Sequence, residues 1–157
     1  VMENVMIPCF ARRDGMFRLN GITPTQSETD IRDKAEQMLI DVRMQDKLRM
    51  QAGSLSRGDK RRLEMAMCLS QDPKLLLLDE PTAGMARADT NNTIDLLAEL
   101  QGKRQITKVI IEHDMHVVFS LAQRISVLAQ GHVIVEDEPV KIKGNPKVKE
   151  AYLGGAH

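Results

Sequence analysis

The sequence predicts an α/β protein in which helices alternate with the strands of a mostly parallel sheet. Four consecutive leucines, residues 75–78, form a short apolar run that ends at Asp79-Glu80-Pro81. The shortness of the run and the proline after it favour a strand that is covered on both faces. Helical and strand-like patterns then alternate to about residue 128, as in right-handed βαβ units.

Residues 1–54 are predicted to form a helical subdomain. Ser27-x-x-Asp30 has the form of a capping box, and apolar residues follow it at helical spacing. Glycine and proline at residues 21–24 predict a loop before this helix. The apolar positions are Ile31, Ala35, Met38, Leu39 and Val42.

Residues 55–136 are predicted to carry the sheet. Ser56-x-x-Asp59 marks the start of a helix of about ten residues or slightly more, and Asp72-Pro73 ends it because proline cannot continue a helix. After the leucine strand we expect a helix at 89–100, a strand at 109–111, a helix at 115–122 and a strand at 125–128. Gln130-Gly131 predicts a tight hairpin to residues 132–136. Residues 137–157 are predicted to be a tail with a short helix near 147–152.

Composition excludes some classes of function. Lys plus Arg equals Asp plus Glu, at 22 each, so no overall field attracts a polyanion. Aromatic residues, which single-strand nucleic-acid binders use for stacking, make up only 3%. Cys9 and Cys68 are too few for a disulfide or metal framework and are predicted to be structural thiols in a reducing, cytoplasmic setting. No signal peptide or long apolar span is visible.

Two adjacent carboxylates, Asp79 and Glu80, follow the predicted buried strand, where open α/β sheets bind their ligands. A buried, unpaired carboxylate is costly, so we expect a cation, a donor or water beside them. A magnesium ion held by Asp79 and a water polarised by Glu80 would satisfy both groups. The alternative is an acidic loop entry in which Asp79 caps a turn.

Three segments in order carry a family resemblance. They are Leu55-Ser56-Arg57-Gly58-Asp59 before the leucine strand, Asp79-Glu80-Pro81-Thr82-Ala83-Gly84 after it, and Glu112-His113-Asp114 beyond the next strand. In this order and spacing, nearly the whole chain resembles the nucleotide-binding subunits of ABC transporters. The resemblance implies a partial ABC-ATPase fold with the C-terminal part of a mostly parallel, RecA-like sheet. Residues 1–54 would be the helical subdomain, residues 55–136 the signature helix and the Walker B and switch part of the ATPase core, with Asp79 as the Walker B residue, and residues 137–157 the tail.

The resemblance also implies roles for single residues. Ser56, Arg57, Gly58 and Asp59 would form the signature, whose helix N-terminus meets the γ-phosphate of ATP held by a second subunit. Asp79 would support magnesium, Glu80 would act as general base or orient the attacking water, and His113 would be the switch histidine. Arg57 and Asp59 replace the family's usual Gly and Gln. Arg57 would either add a contact to phosphate or lie in solvent, and we expect Asp59 to cap the helix. Ala86 stands where an acidic or amide residue is common.

One motif is missing. No Gly-x-x-x-x-Gly-Lys-Ser/Thr run exists in the sequence, so the phosphates of ATP lack a cradle. We therefore expect that the chain alone neither binds nor hydrolyses ATP appreciably, and that the natural chain begins upstream of Val1, with the family's glutamine loop just before it. The strands left without neighbours should expose apolar surface and favour self-association.

Two short stretches narrow the family. Residues 111–115 and the ending at 150–155 are similar to the subunits that power branched-chain amino-acid importers, although lipopolysaccharide exporters end in much the same way. The implied partners are a second ATPase subunit and membrane permeases on the inner face of the cell membrane, with no nucleic acid. Two alternatives remain: a soluble ABC ATPase of DNA repair or translation, which usually carries coiled-coil insertions or tandem cassettes, and a non-enzymatic module that docks on a permease or a full subunit.

Overall fold

The computed structural model describes residues 1–14 and 25–153, and the chain divides into two compact units, Val1–Ile111 and Glu112–His157. The first unit contains three helices, a 3₁₀ turn (Ala52–Ser54) and a βαβ segment; the second contains a β-hairpin and three short helices. The predicted α/β class is confirmed. The domain boundaries predicted after residues 54 and 136 stay predictions. The elements are α1 (Met2–Asp14), α2 (Thr25–Asp41), α3 (Arg57–Leu69), β1 (Leu75–Asp79), α4 (Arg87–Lys103), β2 (Thr107–Ile111), α5 (Met115–Leu121), β3 (Ile125–Ala129), β4 (His132–Asp137), α6 (Pro139–Gly144) and α7 (Pro146–Leu153).

Helices α1, α2 and α3 pack against one another and bury one face each. All five apolar positions predicted for α2 are buried, as are Val5 and Cys9 of α1. The predicted capping box at Ser27 is wrong, because α2 already includes Thr25 and Ser27 lies inside it. The helix extends through polar residues that carry no apolar signal. The loop expected at 21–24 lies outside the described residues.

Helix α2 ends in a left-handed turn. Arg43 has a φ of 59°, its N–H donates to the Ile40 carbonyl at 2.9 Å, and the Met44 N–H donates to the Leu39 carbonyl at 2.8 Å. These two bonds form a Schellman motif and satisfy carbonyls that the helix end would otherwise leave without partners. The end of α2 is also tied to the end of α4, since Arg104 Nη2 lies 2.8 Å from Asp41 Oδ2.

Strands β1 and β2 pair in parallel and are joined by α4, as the βαβ pattern predicts. Lys108, in register with Leu76, donates to the Leu97 carbonyl of α4, so α4 lies on this face of the sheet. Desolvation at this position lowers the pKa of Lys108 below its usual value.

The prediction that β1 is covered on both faces is wrong for this chain. Leu76 is 6% exposed, whereas Leu75 and Leu77 are 51% and 69% exposed. Val109 and Ile111 of β2 lie on the same exposed side of the sheet and are also exposed. Among the described residues, an all-leucine strand is thus buried on one side only.

The second unit is built on the hairpin of β3 and β4, which confirms the tight turn predicted at Gln130-Gly131. Both turn residues have positive φ, 49° and 78°, as the type I′ turn of a two-residue hairpin requires. The pairing shifts between Val127 and Leu128, which produces a bulge. Ile125 and Val127 pack with Ile142 of α6 and Val148 of α7.

The expectation that both cysteines are structural thiols is confirmed for one of them only. Cys9 is buried, as a structural thiol should be, but Cys68 is exposed on α3, so that role does not hold for Cys68.

The short helix α6 was not predicted, since its six residues carry too little periodicity to stand out. Within residues 1–14 and 25–153, none of the helices combines the length and apolarity that crossing a bilayer requires.

Two adjacent leucines test the one-sided burial of β1. We expect Leu76→Ala to lower the free energy of unfolding by about 2–5 kcal/mol, because it leaves a cavity against α4. Leu77→Ala, the matched control on the exposed face, should change it by about 0.5 kcal/mol or less. Chemical denaturation of both variants measures the difference, and equal losses would contradict the exposed face.

Candidate functional site

The two carboxylates predicted to be functional lie where β1 ends. Asp79 is the last residue of the strand and is in register with Ile111 of β2. The Glu80 N–H donates to the Ile111 carbonyl at 2.9 Å, which extends the ladder by one bond beyond the strand. Strand pairing therefore fixes the backbone of both residues at the carboxyl edge of the sheet, the position where α/β proteins bind ligands.

Glu80 adopts an unusual backbone conformation. Its φ is 44°, in the left-handed region that residues with a Cβ seldom occupy. The Glu80 carbonyl accepts from the Ala83 N–H at 3.1 Å, so the chain turns sharply as soon as the strand ends. Strain of this kind, held in place by surrounding bonds, is concentrated at functional sites in proteins.

A second turn follows at once and completes the loop of residues 80–86. The Met85 N–H donates to the Thr82 carbonyl at 3.1 Å, and Gly84 has a φ of 70°. Thr82 is buried, whereas the N-cap of α4, Ala86, makes no side-chain capping bond. The loop is thus held by backbone turns and by Thr82, and its last residue offers no side-chain oxygen to α4.

Both carboxylates are exposed in this chain, contrary to the burial that we expected from the leucine run. Asp79 shares the uncovered face of β1 with Leu75 and Leu77, and nothing among the described residues excludes water from it. No described cluster contains three or more potential metal ligands. Asp79 and Glu80 supply the hard oxygen donors that suit Mg²⁺, which also binds through water and phosphate oxygens.

The predicted helix start at Ser56 is confirmed. Ser56 is the N-cap of α3, and its Oγ accepts from the Asp59 N–H at 3.1 Å and donates to Asp59 Oδ2 at 2.8 Å. The side chain of Asp59 therefore takes part in the cap, as expected. Gly58 has open space around the position that a Cβ would occupy. The first amides of α3 thus stand at an end of the helix that favours anions.

Two cations lie beside Asp59. Its Oδ1 is 3.3 Å from Lys47 Nζ and 3.6 Å from Arg62 Nη1, and its side chain is only 15% exposed. These partners offset the negative charge that a carboxylate would otherwise place at the start of α3. An acidic residue at this position is therefore compatible with an anion nearby.

His113 belongs to the second unit and lies on its surface, one residue before the N-cap of α5. The cap is Asp114, whose Oδ1 accepts from the His116 N–H at 2.8 Å. Glu112 Oε2 accepts from the His113 N–H at 3.2 Å and from the Asp114 N–H at 3.5 Å. These bonds hold the backbone that carries the imidazole, a role for Glu112 that sequence reasoning missed although the residue was in the motif.

The structure brings together some of the predicted residues. Ser56 and Asp59 are bonded to each other, and Asp79 and Glu80 share one strand end. A contact that the sequence did not predict joins Arg57 to Gly84, since a Cβ on Gly84 would lie 2.5 Å from Arg57 Nη1. The positive φ of Gly84 follows from a turn-forming residue type, but its neighbour Arg57 is 27 positions away along the chain.

Comparison with known proteins gives a consistent result. The family model described as ABC transporter matches residues 3–83. A high-affinity branched-chain amino acid transport ATP-binding protein, LivG of Escherichia coli, is 35% identical over 99% of this chain and 62% of its own length. The corresponding BraF protein of Pseudomonas aeruginosa is 37% identical over 90% of this chain and 55% of its own length.

Solved structures agree with these relatives. An ATP-binding cassette of an ABC transporter superposes with a TM-score of 0.77 at 29% identity, covering 96% of this chain and 61% of that one. A nucleotide-free ATP-binding cassette from an ABC transporter gives 0.74 at 25% identity. The chain thus spans about three fifths of the length of the proteins that it matches.

The backbone of Glu80 yields a test of strain. Glu80→Gly should raise the melting temperature by about 2–4 °C, because glycine occupies the left-handed region without a Cβ clash. Glu64→Gly, in the right-handed backbone of α3, should lower it, since glycine weakens a helix interior. Thermal unfolding followed by circular dichroism measures both, and a fall for Glu80→Gly equal to that of the control would contradict the strained conformation.

Proposed function

This chain belongs to the ABC transporter family, and we propose that it is the signature and Walker B part of an ATP-binding and ATP-hydrolysing subunit of a branched-chain amino-acid importer. Relatives that transport branched-chain amino acids match 90–99% of the chain, which supports this substrate class. The observation that carries the proposal is the position of Asp79 and Glu80. Paired strands hold both at the carboxyl edge of the sheet, with Glu80 in a strained turn.

Asp79 and Glu80 would have different catalytic roles at the carboxyl edge of the sheet. Bound Mg-ATP would supply the γ-phosphate and the cation that neutralises charge as the phosphoryl group leaves. Asp79 would hold the cation through its carboxylate, and Glu80 would accept a proton from the attacking water or orient it. The bond from the Glu80 N–H to the Ile111 carbonyl fixes the backbone, so that the carboxylate needs little reorganisation.

The N-terminus of α3 would bind the γ-phosphate of a nucleotide held by a second subunit. Ser56 and Gly58 would contribute their hydroxyl and amide groups at the positive end of the helix dipole. Asp59 would act by capping the helix, while Lys47 and Arg62 offset its charge. His113, steadied by the bonds from its own and the next amide to Glu112, would contact the γ-phosphate of the subunit's own nucleotide.

The assembled transporter would contain two such ATPase subunits on membrane permease subunits. Closure of the pair around ATP would move the permeases, and the chain would then lie at the inner face of the cell membrane. The names of the relatives favour amino-acid transport over lipopolysaccharide export. We propose no nucleic-acid partner, since charge is balanced and aromatic residues are scarce.

A calorimetric titration tests the part played by the absent phosphate loop. The chain alone should show no heat of binding with Mg-ATP up to millimolar concentrations, because the sequence lacks the amides and the lysine that cradle the phosphates. The LivG protein of Escherichia coli, titrated under the same conditions, serves as the positive control. Micromolar binding of Mg-ATP would contradict the expectation that the chain alone does not bind ATP appreciably.

A further inference from the structure

The guanidinium of Arg57 lies against the backbone of Gly84. A Cβ atom on Gly84 would lie 2.5 Å from Arg57 Nη1 and 3.7 Å from Arg57 Cζ. A carbon and a nitrogen cannot approach to 2.5 Å without overlap, so any larger residue at Gly84 would displace the guanidinium. Gly84 also has a φ of 70°, which favours glycine for a separate reason. The position of the Arg57 guanidinium therefore depends on the lack of a side chain at Gly84.

The contact joins two segments that the proposed function uses. Arg57 is the first residue of α3, between Ser56 and Gly58, and Gly84 belongs to the loop of residues 80–86 that begins at Glu80. Within the described chain, that loop is closed by bonds from the Ala83 and Met85 amides to the Glu80 and Thr82 carbonyls. Its last residue, Ala86, makes no side-chain capping bond to α4. The end of the loop is joined to α4 by bonds from Thr93 Oγ1 to Met85 Sδ at 3.5 Å and from the Thr90 N–H to the Ala86 carbonyl at 3.0 Å. The Arg57 guanidinium adds a contact to the loop from α3.

We propose that Arg57 is a positioning residue that ties the start of α3 to the loop of residues 80–86 and thereby helps to place Glu80. This inference rests on the proposed function, in which Ser56 serves the nucleotide of the second subunit and Glu80 serves the subunit's own. A contact between the two segments joins the two nucleotide sites within one chain. Arg57, whose side chain is exposed, thus acts through its contact with Gly84.

A double-mutant cycle on the full chain tests the contact by chemical denaturation. Gly84→Ala should raise the equilibrium constant of unfolding by about 5- to 30-fold, because the left-handed backbone is strained and the guanidinium is displaced. Arg57→Ala should raise it less. Both changes remove the same contact, so their effects should not multiply. The rise in the equilibrium constant of unfolding of the double variant should be smaller than the product of the two single rises by a factor of about two or more.

Amide resonances of the isotope-labelled chain provide a second readout that a general loss of stability does not move. In Arg57→Ala, the amide resonances of Glu80, Ala83 and Met85 should shift, and those of Ala83 and Met85 should exchange faster with solvent. Arg61→Ala is the matched control: Arg61 lies on the same helix, and its guanidinium bonds to Glu64 at 2.9 Å. That variant should leave the loop resonances in place.

The proposal would be overturned if the rise in the unfolding constant of the double variant equalled the product of the two single rises. An unchanged Glu80 resonance in Arg57→Ala would overturn it as well. If Gly84→Ala does not fold, the resonances of Arg57→Ala decide alone. Neither readout uses nucleotide or the second subunit. A failure here therefore leaves the proposed ATPase role standing, and a failure of that role leaves this contact measurable.

Discussion

The parallel pairing of β1 with β2 is the constraint on which the candidate site depends. It places Asp79 beside Ile111, and the bond from the Glu80 N–H to the Ile111 carbonyl carries the pairing one residue beyond the strand. Burial of Leu76 and the bond from Lys108 to the Leu97 carbonyl hold this sheet against α4. Because Glu80 must adopt a left-handed conformation to leave the strand, part of this packing energy offsets local strain at the site.

A second constraint lies at the start of α3, where the N-cap of the helix includes a carboxylate that is paired with two cations. Ser56 and Asp59 cap the helix, and Lys47 and Arg62 neutralise the carboxylate of Asp59. Arg57 and Asp59, which would depart from the family's usual signature, make different contacts. Asp59 stabilises the helix start locally, whereas Arg57 reaches outward to a loop that is distant in sequence. Neither substitution removes the amides that would meet a phosphate.

Local patterns predicted most of the elements. The Ser56 cap, the buried face of α2 and the Gln130-Gly131 turn all follow from residue types at fixed spacing, and the structure contains each of them. The start of α2 was missed because its first turn is polar and carries no periodicity. Exposure of Leu75 and Leu77 could not be predicted, since four leucines look the same whether one face or two are covered. Contacts such as Arg57 with Gly84 depend on tertiary packing and leave no pattern in a single sequence.

The central claim is that Glu80, placed by strand pairing, is the catalytic carboxylate of an ATPase whose phosphate loop lies outside this chain. The most direct measurement is phosphate release from Mg-ATP when the chain is mixed with the part of Escherichia coli LivG that it does not match. The account predicts hydrolysis by the mixture, and a rate about 10²- to 10⁴-fold lower with Glu80→Gln in this chain. Asp95→Asn, an exposed carboxylate on α4, should leave the rate unchanged. Equal rates for Glu80→Gln and the parent chain would contradict the claim.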